Sequence, residues 1–248
     1  MLAAPHEAEL SALLAAQRDP ASPEYQHWLT PEEFGRRFGV SGRDLRRVSR
    51  WLRSAGCRVR RYASRRLLVC RGPATLAVPP ALADVVVDAL PVDGGPPLVF
   101  SHHVDHLHTD LFAEQGYVLS PAEFQRIYAL GSANGVPVDG TGQTIGIVGA
   151  SAIDPNDVAL FRVRFGLPPL DLEQDGGGQQ PGSSAEVEAV LDVTWSGAVA
   201  PGARVVLAVG SVVVDALAAL VDRPDVSVIS QSVAICPGGG AKRLMMAT

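Results

Sequence analysis

In the stretch SSAEVEAVLDVTWSGAVAPGARVVL, from Ser183 to Leu207, Glu188 and Asp192 stand four residues apart among Val187, Val190, Leu191 and Val193. On a helix, positions i and i+4 lie one above the other on a single face. The apolar neighbours imply that this helix is largely buried. Two acids close together in such a setting cannot both ionise cheaply, so one holds its proton to a higher pH. A coupled pair of this kind suits general acid/base work. The same spacing also fits a solvated acidic stripe with Glu186 as its third member.

A second group of chemically able side chains lies in SHHVDHLHTD, where His102, His103, His106 and His108 gather with Asp105 and Asp110. Spacings of this sort can bind zinc. They also fit a hinge that loosens as imidazoles charge below about pH 6.5, or a solvated polar linker. The three cysteines, Cys57, Cys70 and Cys236, are too few for a disulfide framework. Cys57 and Cys70 could face each other across a hairpin; the reading adopted here is two buried thiols.

The elements that must position these groups fall into two sets. HEAELSALLAAQRD reads as a short amphipathic helix on Leu10, Leu13 and Leu14. Thr30 and Glu33 form a capping box, with Pro31 at the first helical position. SGRDLRRVSRWLRSAG is a helix with Leu45, Val48 and Leu52 on one face and arginines around it, stopped by Gly56. CRVRRYAS and RRLLVCRG alternate like a β-hairpin. A Pro/Gly joint, PVDGGPP, leads to the histidine segment. From about Tyr117 the pattern changes. SPAEFQRIYAL is a short helix, GTGQTIGIVGAS a buried strand, DPNDVALFRVRFGL a helix and DGGGQQPGSS a loop. The Glu188 helix starts with Ser183 and Glu186 as a capping box; ARVVLAVG is a strand, VVVDALAALVD a helix and VSVISQSV a buried strand. Strand–helix alternation with wholly apolar strands indicates a parallel sheet covered on both faces.

The bulk numbers fit two modest units. The chain has 248 residues, 47% hydrophobic and 19% charged, enough for a sizeable core. Its net charge of -5 is uneven: residues 1–72 hold fourteen arginines against seven acids, whereas acids dominate the remainder. A basic part followed by an acidic part suggests two units that attract each other. An Arg-rich solvated surface is the plainer explanation. No apolar run reaches the ~18 residues that span a bilayer, so no membrane partner is expected. The start has no basic region followed by an apolar run, as a secretory signal would. Aromatic residues in the Arg43–Arg66 run are only Trp51 and Tyr62, which argues against a nucleic-acid surface.

SPEYQHWLTPEEFGRRFG, then DLRRVSRWLRSAG and VPPALADVV, resemble the activation domain of the sedolisins, the kumamolisin-like serine-carboxyl peptidases. LSPAEFQRIYAL, GTGQTIGIVGAS, DVALFRVRFGLP, EAVLDVTWSGAVAPGARVVL and DRPDVSVISQS are similar to the start of that family's catalytic domain. The resemblance implies an α/β fold: part of a subtilisin-like parallel sheet with flanking helices (119–248), preceded by a small α+β pro domain (1–98) and a His-rich linker (99–118). It implies an acid-acting endopeptidase with a Ser-Glu-Asp triad, an Asp at the oxyanion hole and calcium in the full-length family, its site not in this chain. Glu188 falls on the general base and Asp192 on the acid that orients it. In acid a histidine would be protonated, whereas a carboxylate still accepts a proton from serine. Polypeptide substrates, an intramolecular contact between pro and catalytic parts, and an extracellular location follow from the same resemblance.

The sequence departs from the family in three places. It has no Gly-Gly-Thr-Ser nucleophile segment and no Gly-Asp-Ser-Gly-like oxyanion segment. Ser196, Ser211, Ser227, Ser230 and Ser232 are present without matching surroundings. The tail SQSVAICPGGGAKRLMMAT lacks the family's Ser-aromatic-Gly, and the pro part is short at its start and between RLLVCRG and VPPALADVV. The expectation is a truncated precursor, catalytically incomplete and unstable alone because the cut sheet exposes a strand edge. The alternatives are a stand-alone inhibitory or binding module that resembles a pro domain, or a non-functional fragment.

Overall fold

The computed structural model describes residues 1–72, 76–89, 98–100, 119–133, 135–177, 180–182, 184–210 and 213–235. They divide into two compact units, Met1–Gly95 with Val221–Pro224, and Pro96–Leu220 with Asp225–Thr248.

The first unit is α+β. It opens with helices α1 (Glu7–Arg18), α2 (Pro31–Phe38) and α3 (Gly42–Ser54), followed by strands β1 (Arg58–Arg61) and β2 (Leu68–Arg71). The expected signals act as read. Thr30 accepts from the Glu33 amide while Glu33 returns the bond to the Thr30 amide, and Pro31 occupies the first turn. Ser41 accepts from the Asp44 amide to start α3. Val48 and Leu52 of α3 pack with Val40, Cys57, Leu82 and Val85 in one apolar cluster. Gly56, at φ 87°, takes the left-handed conformation that ends α3. The first residues are extended rather than helical: Leu2 bridges Val86, and its amide donates to Arg66 O at 2.8 Å.

The cysteines differ from expectation. Cys57 and Cys70 form a disulfide, with Cα atoms 5.2 Å apart. The antiparallel register explains why. Val59 lies opposite Cys70, so Cys57 is diagonal to it and faces Gly72. A Cβ on Gly72 would stand 3.2 Å from Cys57 Cα, so glycine leaves the strands free to close.

The second unit is α/β. Strands β6 (Thr144–Gly149), β7 (Leu172–Gly177), β8 (Arg204–Gly210) and β9 (Val228–Gln231) make a parallel sheet in the order β7-β8-β6-β9. Helix α5 (Pro155–Arg164) links β6 to β7, α6 (Ser184–Val199) links β7 to β8, and α7 (Val213–Val221) links β8 to β9. Helix α4 (Pro121–Ile127) precedes the sheet, with the short pair β4 (Ser132–Ala133) and β5 (Val136–Pro137) after it. Beyond β9, strand β10 (Val233–Ile235) pairs antiparallel with β3 (Leu98–Phe100).

Successive residues of the central strands serve opposite faces, as the pleat requires. Ile147, Val205, Leu207 and Val209 pack with Val158 of α5 and with Ala189 and Val193 of α6. Val148, Val206 and Ala208 pack with Val213, Ala216 and Leu220 of α7. Hence α5 and α6 share one face and α7 covers the other. The step from β6 to β7 moves two places across the sheet, and the step from β7 to β8 moves one place back over the same face. These two crossovers therefore have opposite hands. The β8–α7–β9 step, on the other face, matches the first. Since parallel crossovers are right-handed almost without exception, the odd one is β7–α6–β8, the crossover that carries Glu188 and Asp192.

Strand β7 is not among the elements expected from the sequence, and its last residues, 175–177, fall in the expected loop DGGGQQPGSS. Its residues Leu172–Gly177 hold few apolar side chains because it is an edge strand, paired on one side only.

Candidate functional site

Helix α6 follows β7, so it starts at the carboxyl end of the sheet and runs back towards the start of β8. Its buried stripe is Ala185, Glu188, Ala189 and Val193, at helical spacing. Glu188 is 5% exposed, buried like the alanines beside it. Asp192, one turn on and about 6 Å along the axis, is half-buried. Neither acid belongs to a solvated stripe.

The third acid has separate work. The Glu186 carboxylate accepts from the Asp154 amide at 3.0 Å and from the Gly182 amide at 2.5 Å, tying the starts of α5 and α6 together. Ser183, its expected capping partner, lies outside the described residues.

The connections after β6 and β8 leave towards opposite faces of the sheet, which makes the gap between these neighbours the switch point. In open α/β sheets, ligands bind outside the strands' carboxyl ends at such a point. There Gly149 ends β6 on the α6 side. A Cβ at Gly149 would come within 2.7 Å of Leu207 Cδ1, a side chain locked in the core. Ser151, fully buried just beyond, has its one hydroxyl proton within reach of two carbonyls, Ala152 O at 2.8 Å and Gln180 O at 3.3 Å. The Gln174 side chain of β7 clamps the Ile153 backbone from both sides, accepting its amide at 2.9 Å and donating to its carbonyl at 3.0 Å. The loop beside the acids is thus held by fixed hydrogen bonds.

One contact within the site comes from the far edge of the sheet. Ser232, the residue after β9, donates its hydroxyl to Asp192 Oδ1 at 3.0 Å. The sequence offers Ser232 among several serines without marking it. The signal was the strand register, which a sequence carries only through pairing partners far away.

Supports at the other end of α6 are equally specific. Phe124 of α4 meets Trp195 edge-on with ring centres 5.5 Å apart, and Gln125 donates to Ala198 O at 3.0 Å. Arg162 of α5, 3% exposed, donates to the carbonyls of Gly197, Pro201 and Pro168. Burial lowers its pKa from the ordinary arginine value. A cation at the carboxyl end of α6 also suits the helix dipole.

The histidines at 102, 103, 106 and 108 lie outside the described residues, as does Cys236. Among the described residues no group of three or more His, Cys, Asp or Glu is placed to hold a metal ion. No helix among them is long and apolar enough to cross a membrane.

No curated protein matches the chain. Residues 1–78 match the family described as Pro-kumamolisin, activation domain. The N-terminal helices and hairpin are therefore similar to the activation segment of a peptidase precursor.

Proposed function

We propose that the chain is the N-terminal portion of a sedolisin-type, serine-carboxyl endopeptidase precursor, with Glu188 as general base and Asp192 as the acid that orients it. The observation that carries this reading is the match of residues 1–78 to an activation domain, a module whose purpose is to accompany a peptidase. The burial of Glu188 one turn from Asp192 at the carboxyl end of a parallel sheet supports the assignment of roles. In acid, Glu188 would take the proton of an attacking serine, and Asp192 would hold its carboxyl in place and share the charge.

The 248 residues contain no Gly-Gly-Thr-Ser segment, and a base without nucleophile or oxyanion donors lacks the parts that supply most of the rate. The Cys57–Cys70 bond supports an extracellular or otherwise oxidising location. The arginine excess of residues 1–72 supports a role in binding an acidic peptidase surface.

The extent of the match, confined to the activation domain, favours a second reading: an inhibitory module that binds a complete peptidase of this type. One experiment addresses both. The purified chain is incubated at acid pH with a denatured protein substrate, alone and then with a complete serine-carboxyl peptidase. The expected outcome is no cleavage by the chain alone and inhibition of the complete enzyme. Hydrolysis by the chain that Glu188→Gln abolishes would overturn its catalytic incompleteness. Unimpeded enzyme at every chain concentration would overturn the activation-domain reading.

A further inference from the structure

We infer that Ser232 is the positioning residue for Asp192, anchoring that carboxylate from the edge strand so that it keeps one orientation on the Glu188 face of α6. The inference rests on the proposed role of the pair and adds a residue from a different element.

The register of the sheet brings this about. Ser230 pairs with Ile147 and Gln231 with Val148, the last pair of the ladder, and Ser232 follows directly. Ile147 packs on the α6 side of the sheet, whereas Val148 packs on the α7 side. By strand alternation Ser230 and Ser232 turn towards α6 and Gln231 turns away. The result is the 3.0 Å bond to Asp192 Oδ1.

The chemistry of the bond is directional. A serine hydroxyl has one proton to donate, and an ionised carboxylate only accepts. The bond therefore strengthens when Asp192 carries its charge. With Asp192 held as the anion, Glu188 one turn away faces a neighbouring negative charge and becomes the more basic of the two carboxyls. Ser232 thus divides the labour between two otherwise similar carboxyls.

Among the charged groups on the elements packed around α6, Asp157 and Arg164 of α5 and Asp175 of β7 are exposed, and several others are held elsewhere. Arg162 of α5 serves the carbonyls at the far end of the helix. Asp154 caps α5 through the Asn156 amide, and Glu186 holds the Asp154 and Gly182 amides. On α4, Glu123 caps its own helix through Ser120, and Arg126 is exposed. Arg204 at the start of β8 pairs with Glu173 and Asp225. Strand β6 has no ionisable side chain. Glu188 is the ionisable neighbour on α6 itself.

The test is carboxyl-detected NMR titration of the full chain labelled at aspartate, with Asp192→Asn assigning the signal. Ser232→Ala should move the Asp192 midpoint up by about one pH unit, the size expected for losing a hydrogen bond to a charged group. Ser232→Thr, which keeps the hydroxyl, should leave the midpoint and the melting temperature in place, whereas Ser232→Ala should match the parent melting temperature only where the pH is low enough to protonate Asp192. An unmoved midpoint in Ser232→Ala, or one equally moved in Ser232→Thr, overturns the inference. Should Ser232→Ala not fold, Ser232→Cys, a weaker donor of similar size, is read by the same criterion. The titration needs no turnover. A shifted midpoint in a chain that neither cleaves nor inhibits would therefore keep the positioning role and discard the peptidase reading, and the reverse result would do the opposite.

Discussion

At the scale of single residues, Arg162 shows how much of this unit depends on one buried polar group. Its guanidinium reaches three backbone carbonyls from three segments, the end of α6 and the loops at Pro168 and Pro201. Gly197 leaves it room, since a Cβ there would stand 3.1 Å from Arg162 Nη1 and 2.8 Å from Leu170 Cδ1. Replacing the arginine strands buried acceptors, each worth about 1–3 kcal/mol when left unmade, while relieving the burial of one charge. Arg162→Met should therefore lower stability by about 2–4 kcal/mol, measured by urea unfolding of the second unit. A loss below about 0.5 kcal/mol, as at an ordinary surface site, would show that water replaces the guanidinium. From the sequence, Arg162 is one more charge on a helix. Glu188 and Asp192 were legible because their relation is local: one helical turn is fixed by the backbone. Ser232 and Arg162 were not, because Asp192 and two of the three carbonyls that Arg162 reaches lie more than thirty residues away from them.

At the scale of elements, the helix starts are set by reciprocal caps that acid will weaken. Glu33 and Glu123 accept from the amides of Thr30 and Ser120, and those bonds hold both carboxyls below their ordinary 4.5. Asp44 lies below its ordinary 3.8 through Ser41 and then Arg47. A depressed folded value means that the cap stabilises above the unfolded value and that this support is lost as the pH falls through the folded one. The first turns of α2, α3 and α4 should hold at pH 5 and above and fray progressively below the ordinary carboxyl values of 4.5 and 3.8. Amide hydrogen exchange at Thr30, Asp44 and Ser120 across that range checks this. Protection that is constant from pH 5 down to about 2 would show that the caps do not govern these starts. The capping box at Thr30 and the stop at Gly56 could be read directly, since both act within four residues. Strand β7 could not, because an edge strand of polar residues differs from a loop only by the neighbour it pairs with.

At the scale of the whole molecule, the first unit is small and is held by a covalent closure as well as by its apolar cluster. The Cys57–Cys70 bond closes a loop of 13 residues, a length for which cross-linking is worth about 3 kcal/mol through the unfolded chain. Reduction should lower the unfolding free energy of the first unit by about that amount. The fluorescence of Trp28 and Trp51, both within it, would report the change. Unfolding curves that coincide with and without reductant would mean that the thiols are unlinked, as the sequence reading had it. What the sequence alone determined is what short range dictates: the caps, the amphipathic face of α3, the hairpin, the apolar strands of a parallel sheet, and two acids on one helical face. On α1 the expected face failed in part, since Leu14 is exposed and Gln17 is buried in its place. The tertiary structure decided the rest. It chose the order β7-β8-β6-β9, the odd hand of the α6 crossover, the linkage of two cysteines and the serine that reaches Asp192. Those choices depend on which distant segments lie side by side, and a chain encodes that only through the summed burial of its apolar faces, not through any local run of residues.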